Sequence, residues 1–231
     1  MLQELHAVGF IPGEHRLYAT VALSNCLWER PDLRILRRLL AEGANPAEPV
    51  YQPGGDEGCA IHVAAMQGNS GAVGIFIENR PAVLEARDGY GNTPLLLAAE
   101  AGYEAIVKML LEKGAQPDTQ DRYGNTALTT ATSRGHEAVV RRLLRKAADP
   151  DIVNDKGGTA LIYAAQYGYV GIARRLLLHG ARTDIRNNAG KNALMQAALH
   201  GHENIVRLFR AHLAGRELPV SVCTICQNFV P

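Results

Sequence analysis

Cysteine is scarce in this chain, four among 231 residues. Placed unevenly at 26, 59, 223 and 226, the thiols do not make the disulfide framework on which small secreted domains rely. Charge of one sign is also missing. Lys and Arg total 24 against 23 Asp and Glu, a formal net charge of +1, so there is no electrostatic case for nucleic acid or an anionic membrane. No apolar run approaches the roughly 18–20 residues that span a bilayer. Aromatic residues make up 6%, with a single tryptophan, Trp28. The N-terminus, MLQELHAVGFIPGEHR, carries Glu4 and His6 where a secretory signal would have a basic start and an apolar core. The expectation is a soluble intracellular protein, cytoplasmic or nuclear. Hydrophobic residues at 47% and charged ones at 20% are an ordinary folding composition.

What is present is a period. The stretch Asp88–Gln120, DGYGNTPLLLAAEAGYEAIVKMLLEKGAQPDTQ, returns 33 residues later as DRYGNTALTTATSRGHEAVVRRLLRKAADPDIV. It returns again as NDKGGTALIYAAQYGYVGIARRLLLHGARTDIR, and once more from Asn187. Such a period marks an array of stacked units. Gly91, Gly124, Gly157 and Gly190 recur where a turn needs a conformation that a side chain opposes. Thr93, Thr126, Thr159 and Asn192 stand at helix N-cap positions, and Pro94 at a first helical position. Gly102, Gly135, Gly168 and Gly201 end the first helix of each pair. The second helix is apolar on one face, as in Ile106, Val107, Leu110 and Leu111. The units run at about 16–48, 56–87, 88–120, 121–153, 154–186 and 187–214, after an irregular lead-in 1–15 and before a tail 215–231. The first unit is degenerate, as terminal units are expected to be. The Pro- and Gly-rich stretch after it, AEPVYQPGGDEG, reads as a loop.

This pattern resembles the ankyrin repeat. The resemblance implies an all-α solenoid of helix-turn-helix units with short hairpin-like loops, and a non-catalytic role. The Thr-Pro-Leu-His tetrad of that family is nowhere intact: His62 keeps the histidine, Thr93-Pro94-Leu95 the rest, while Leu96, Thr129, Ile162 and Met195 take the histidine position elsewhere. These losses are expected to remove polar contacts between units and to leave stability moderate. His136 and His202 fall at the family's structural Gly-His position, with Tyr103 and Tyr169 in the alternate units. Asp118, Asp151 and Asp184 stand where the family's hydroxylated asparagine would be, so that modification is not expected here.

No phosphate loop, dinucleotide fingerprint, G-x-S-x-G elbow or H-E-x-x-H is present, so no enzymatic activity and no cofactor are expected. The acidic residues follow the repeat and show no separate pairing. Cys26 and Cys59 read as small buried core residues. Cys223-Thr224-Ile225-Cys226 is the one local chemical signal, weak as a metal site. CTICQNFVP resembles the opening of a RING-type zinc finger, but structural zinc takes four ligands and five residues follow Cys226. An inert tail is the preferred reading. Leu208, Phe209 and Leu213 leave the last helix apolar for a solvent-facing end, so the tail either folds back over it or the natural chain continues.

Proteins of this pattern bind partners through a concave surface of turn tips and first helices. Carried over residue by residue, that surface comprises Tyr90, Asn92, Glu100, Arg122, Tyr123, Asn125, Ser133, Arg134, Lys156, Gln166, Tyr167, Lys191, Leu199 and His200. Tyrosine and arginine are the types most enriched at interface hot spots. The expected function is a monomeric protein-interaction scaffold or adaptor, with no nucleic acid and no membrane as partner. The alternative is the substrate-recruiting region of a ubiquitin ligase whose zinc module would follow Cys223 and Cys226.

Overall fold

The structure is a computed structural model that describes residues 19, 20, 22, 23, 27, 32–48, 50, 51 and 57–215. The lead-in, Cys26, Trp28 and the tail with Cys223 and Cys226 lie outside the described residues. Among the described residues the first complete elements are α1 (Leu33–Ala41), then β1 (Val50–Tyr51) and β2 (Glu57–Gly58). Ten further helices follow in pairs: α2 (Ala60–Met66) and α3 (Ser70–Asn79), α4 (Pro94–Ala101) and α5 (Glu104–Glu112), α6 (Ala127–Ser133) and α7 (Glu137–Arg145), α8 (Ala160–Tyr167) and α9 (Val170–Leu178), α10 (Ala193–Leu199) and α11 (Glu203–Leu213). First helices α2, α4, α6, α8 and α10 stack in one row, and second helices α1, α3, α5, α7, α9 and α11 in another. The fold is the all-α solenoid that the resemblance implied. Two local features were not legible. The expected loop after α1 contains an antiparallel pair, Val50 opposite Gly58 and Tyr51 opposite Glu57. The junction between the second and third units holds a 3-10 turn, Pro81–Glu85, which buries Val83.

Each helix begins as its sequence dictates. Thr93, Thr126, Thr159 and Asn192 accept the backbone N–H three residues on, at Leu96, Thr129, Ile162 and Met195. Loss of such a cap costs about 1 kcal/mol. Helices of seven to eleven residues are too short to persist alone in water, so stacking must hold them. Ala98, Ala99, Ala131, Ala164, Ala165 and Ala197 are fully buried and let adjacent first helices approach closely. The result is one continuous core from Ala19 to Phe209. Leu208 and Phe209 belong to it, whereas Leu213 is exposed.

A ring laid on a glycine joins each unit to the last. A Cβ at Gly102 would lie 2.7 Å from the His136 ring, and one at Gly168 2.8 Å from His202. Both glycines hold a left-handed φ of 80°, so no side chain is tolerated on either count. The His136 Nε2–H donates to the Glu100 carbonyl at 2.8 Å, and that of His202 to Gln166 at 3.0 Å. Tyr103 and Tyr169 lie in the same way against Gly68 and Gly135. Histidine and tyrosine are thus alternate forms of one packing device. Ala147 breaks another regularity: it holds φ 58° at a position where neighbouring units place Gly114 and Gly180, a strain of about 1 kcal/mol.

The acidic residues do pair, contrary to the sequence reading. Glu104 meets Arg142 at 2.8 Å and Arg141 at 3.6 Å, and Glu137 meets Arg175 at 2.9 Å. The partners are one repeat plus about a helical turn apart, a spacing with no local signature. One step further the pair becomes Val170 and Leu208, both packed on the core. The charge is dropped on both sides at once.

His62 shows what the lost histidines would have done. Its Nδ1 accepts from the Cys59 N–H at 3.3 Å, so Nε2 carries the proton and donates to the Ala86 carbonyl at 3.0 Å. Leu96 and Ile162 replace this with apolar burial. Thr129 instead bonds within its own unit, closing a capping box with Thr126. Leu96 and Ile162 therefore lose the polar contact outright, while Thr129 keeps polar bonds only inside its own turn.

Burial lowers the His62 pKa below its usual 6.5, outweighing the Ala86 carbonyl and Asp88, which favour the charged form. With the folded value depressed, the stability it contributes is present above about 6.5 and is lost as pH falls towards the folded value. His62→Leu, which copies Leu96, should flatten the decline in thermal midpoint between pH 7 and 5. Equal slopes for the two proteins in differential scanning calorimetry would contradict this.

Candidate protein-binding groove

The turns of the last four units are each built by one side chain that accepts two backbone N–H groups. Asp88 accepts from Tyr90 and Asn92 at 2.9 and 2.8 Å, and Asp121 from Tyr123 and Asn125, both at 2.8 Å. Asn154 does the same for Lys156 and Gly158, and Asn187 for Ala189 and Lys191. Glycine follows the projected residue, as at Gly91 with φ 79°, so the residue at the tip is turned outwards. The tips are also tied to one another. The Arg122 N–H donates to Tyr90 O at 3.0 Å, Asp155 to Tyr123 O at 3.0 Å, and Asn188 to Lys156 O at 3.1 Å. Tyr90 and Tyr123 are thus held on a bonded framework while the residues remain 44% and 57% exposed.

The first helices supply the floor. Tyr163 and Tyr167, one turn apart on α8, stack with centroids 6.4 Å apart and planes 10° from parallel. Arg134 reaches back to form an ion pair with Glu100 of the preceding unit. Asn154, 7% exposed, donates to the Tyr163 hydroxyl at 2.7 Å and to Asn125 Oδ1 at 2.8 Å. One amide therefore fixes tip, floor and turn together.

Between tips and floor lies a cavity of about 410 Å³. Of the residues named from the sequence, it is lined by Tyr90, Asn92, Glu100, Tyr123, Asn125, Ser133, Arg134 and Tyr167. The amides of Asn92 and Asn125 serve the turns, donating to Asp88 and Asp121 at 2.9 Å. Six named residues fall outside this cavity. Arg122 packs its stem near Gly91, Lys156 is exposed at the third tip, and Lys191 is half-buried. The Gln166 carbonyl is taken by His202. Leu199 is exposed on the last first-helix, and the His200 ring stacks on His202 at 6.2 Å. Leu96, Asp121, Thr129, Thr130 and Tyr163 line the cavity without having been anticipated. Thr130 and Tyr163 share one repeat position, with Leu97 and Gln196, in the middle of the first helix.

The remaining chemistry is quiet. Burial, then the nearby charges of Asp88 and Glu48, push the Cys59 thiol up to about 12, and its Sγ lies 3.1 Å from the Ala47 carbonyl. It is a core residue and not a nucleophile. Among the described residues, no group of three or more His, Cys, Asp or Glu is placed to share a metal ion. No helix among them is long and apolar enough to cross a membrane.

Four overlapping stretches, residues 23–121, 62–154, 113–187 and 131–218, match the profile described as ankyrin repeats (3 copies). The chain belongs to the ankyrin repeat family. Ankyrin repeats generally act as non-catalytic modules of protein–protein interaction. The array is also 36% identical over 86 residues to the transient receptor potential cation channel subfamily A member 1 homolog of Caenorhabditis elegans. That match takes in 37% of this chain and 7% of the channel homolog's length.

Asn154→Ala should remove the amide's bonds to Tyr163, Asn125 and the turn at once. At about 1 kcal/mol per net hydrogen bond, urea denaturation should show a loss of about 2–3 kcal/mol. A change below about 0.5 kcal/mol would mean that this amide does not organise the site.

Proposed function

We propose that this protein is a non-catalytic adaptor that holds a protein partner in the groove of its third, fourth and fifth units. The observation that carries this reading is the concentration of tyrosine. The chain has eight tyrosines, and four of them, Tyr90, Tyr123, Tyr163 and Tyr167, line this single cavity. Exposed aromatic rings on a rigid framework lose little side-chain freedom on binding, which is why tyrosine dominates interface hot spots. The array acts as a monomer in the cytoplasm or nucleus, and its near-zero net charge argues against nucleic acid as the ligand.

Tyr90→Ala combined with Tyr123→Ala should weaken binding of a partner captured by the wild-type array at least tenfold, about 1.4 kcal/mol. Because both rings are exposed, the thermal midpoint should stay within about two degrees of the wild type. Unchanged affinity in isothermal titration would sink the reading. So would parallel loss of affinity and stability, which would make the rings structural.

A further inference from the structure

The lining of the groove narrows the chemistry of its occupant. An added β-strand needs an open row of backbone groups. Here the tip groups that could offer one, Tyr90 O with Arg122 N and Tyr123 O with Asp155 N, already bond between units. An amphipathic helix needs a broad apolar trough. Leu96, the aliphatic residue of the lining, is 2% exposed and offers little surface. A charged anchor on the partner would need an unanswered opposite charge. The charged side chains of the lining are Glu100, Asp121 and Arg134. Glu100 and Arg134 neutralise each other, and both oxygens of Asp121 accept bonds within its own turn. What the groove does present is the exposed Tyr90, Tyr123 and Tyr167, beside a Tyr163 hydroxyl held by Asn154.

That surface fits an extended, uncharged segment rich in proline. Polyproline II chains make no internal hydrogen bonds, so their carbonyls remain open to donors such as tyrosine hydroxyls. Their low conformational freedom suits docking on aromatic-lined grooves. The spacing also agrees. A polyproline II turn is three residues and about 9 Å, while neighbouring helices pack about 8–10 Å apart. Tyr90 and Tyr123 occupy the same position in adjacent units, a repeat of the same order as one turn of such a ligand.

We infer that the partner segment held in this groove is a proline-rich polyproline II stretch, with prolines at intervals of three residues. The inference rests on the reading of the groove as a partner site. Selection of displayed random dodecapeptides on the full chain, with counter-selection on the Tyr90→Ala, Tyr123→Ala double variant, tests both and separates them. Should the double variant prove unfolded, Tyr167→Ala takes its place. The expected outcome is tyrosine-dependent peptides enriched in proline at i and i+3, with proline-to-alanine exchange in the best synthetic peptide weakening binding at least tenfold. Tyrosine-dependent peptides without that enrichment would overturn the inference and leave the groove reading intact. No tyrosine-dependent peptide at all would overturn both.

Discussion

Everything in this molecule depends on one unit covering the face of the next. A helix of seven to eleven residues cannot repay the entropy of its own ordering in water, and here each is stabilised by burial against its neighbours. The alanines of the first helices set how closely the units approach. The ring-on-glycine contacts of His136, His202, Tyr103 and Tyr169 fix how each unit sits on the one before it. These contacts are local in space but a whole repeat apart in sequence, so the array gains rigidity without any long loop closing on itself.

The groove is a by-product of that stacking. Tip residues point outwards because Asp88 and Asp121 cap the turns behind them, and they hold their spacing because the tips bond to each other. Tyr90, Tyr123 and Tyr167 are exposed on that framework, and they line one cavity across the middle units. Charge contributes little here: the Glu100–Arg134 pair is exposed on both sides, and such pairs are worth at most about 1 kcal/mol.

Much of this was legible in the sequence because the repeat translates position into role. The N-caps at Thr93 and Thr159, the burial of Cys59, and the helix-ending glycines follow from residue type and register. The contacts between units were less legible. The pairing of Glu104 with Arg142 and of Glu100 with Arg134 depends on the offset between stacked units, which periodicity does not give. Tyr163 was missed for the same reason: whether the middle of a first helix faces the groove depends on how far the turn tips lean over it. The hairpin of β1 and β2 and the 3-10 turn at Pro81 lie where the period slips, and there the template has nothing to say.

The central claim is that stacking rigidifies the groove before any partner arrives. Native-state hydrogen exchange at the Arg122 and Asp155 amides tests it most directly, since both bond across the unit boundary at exposed turn tips. They should exchange as slowly as the core amides of α4 and α6, opening only when the stack itself opens. Exchange at the rate of an unprotected loop would show the tips to be mobile and contradict the account.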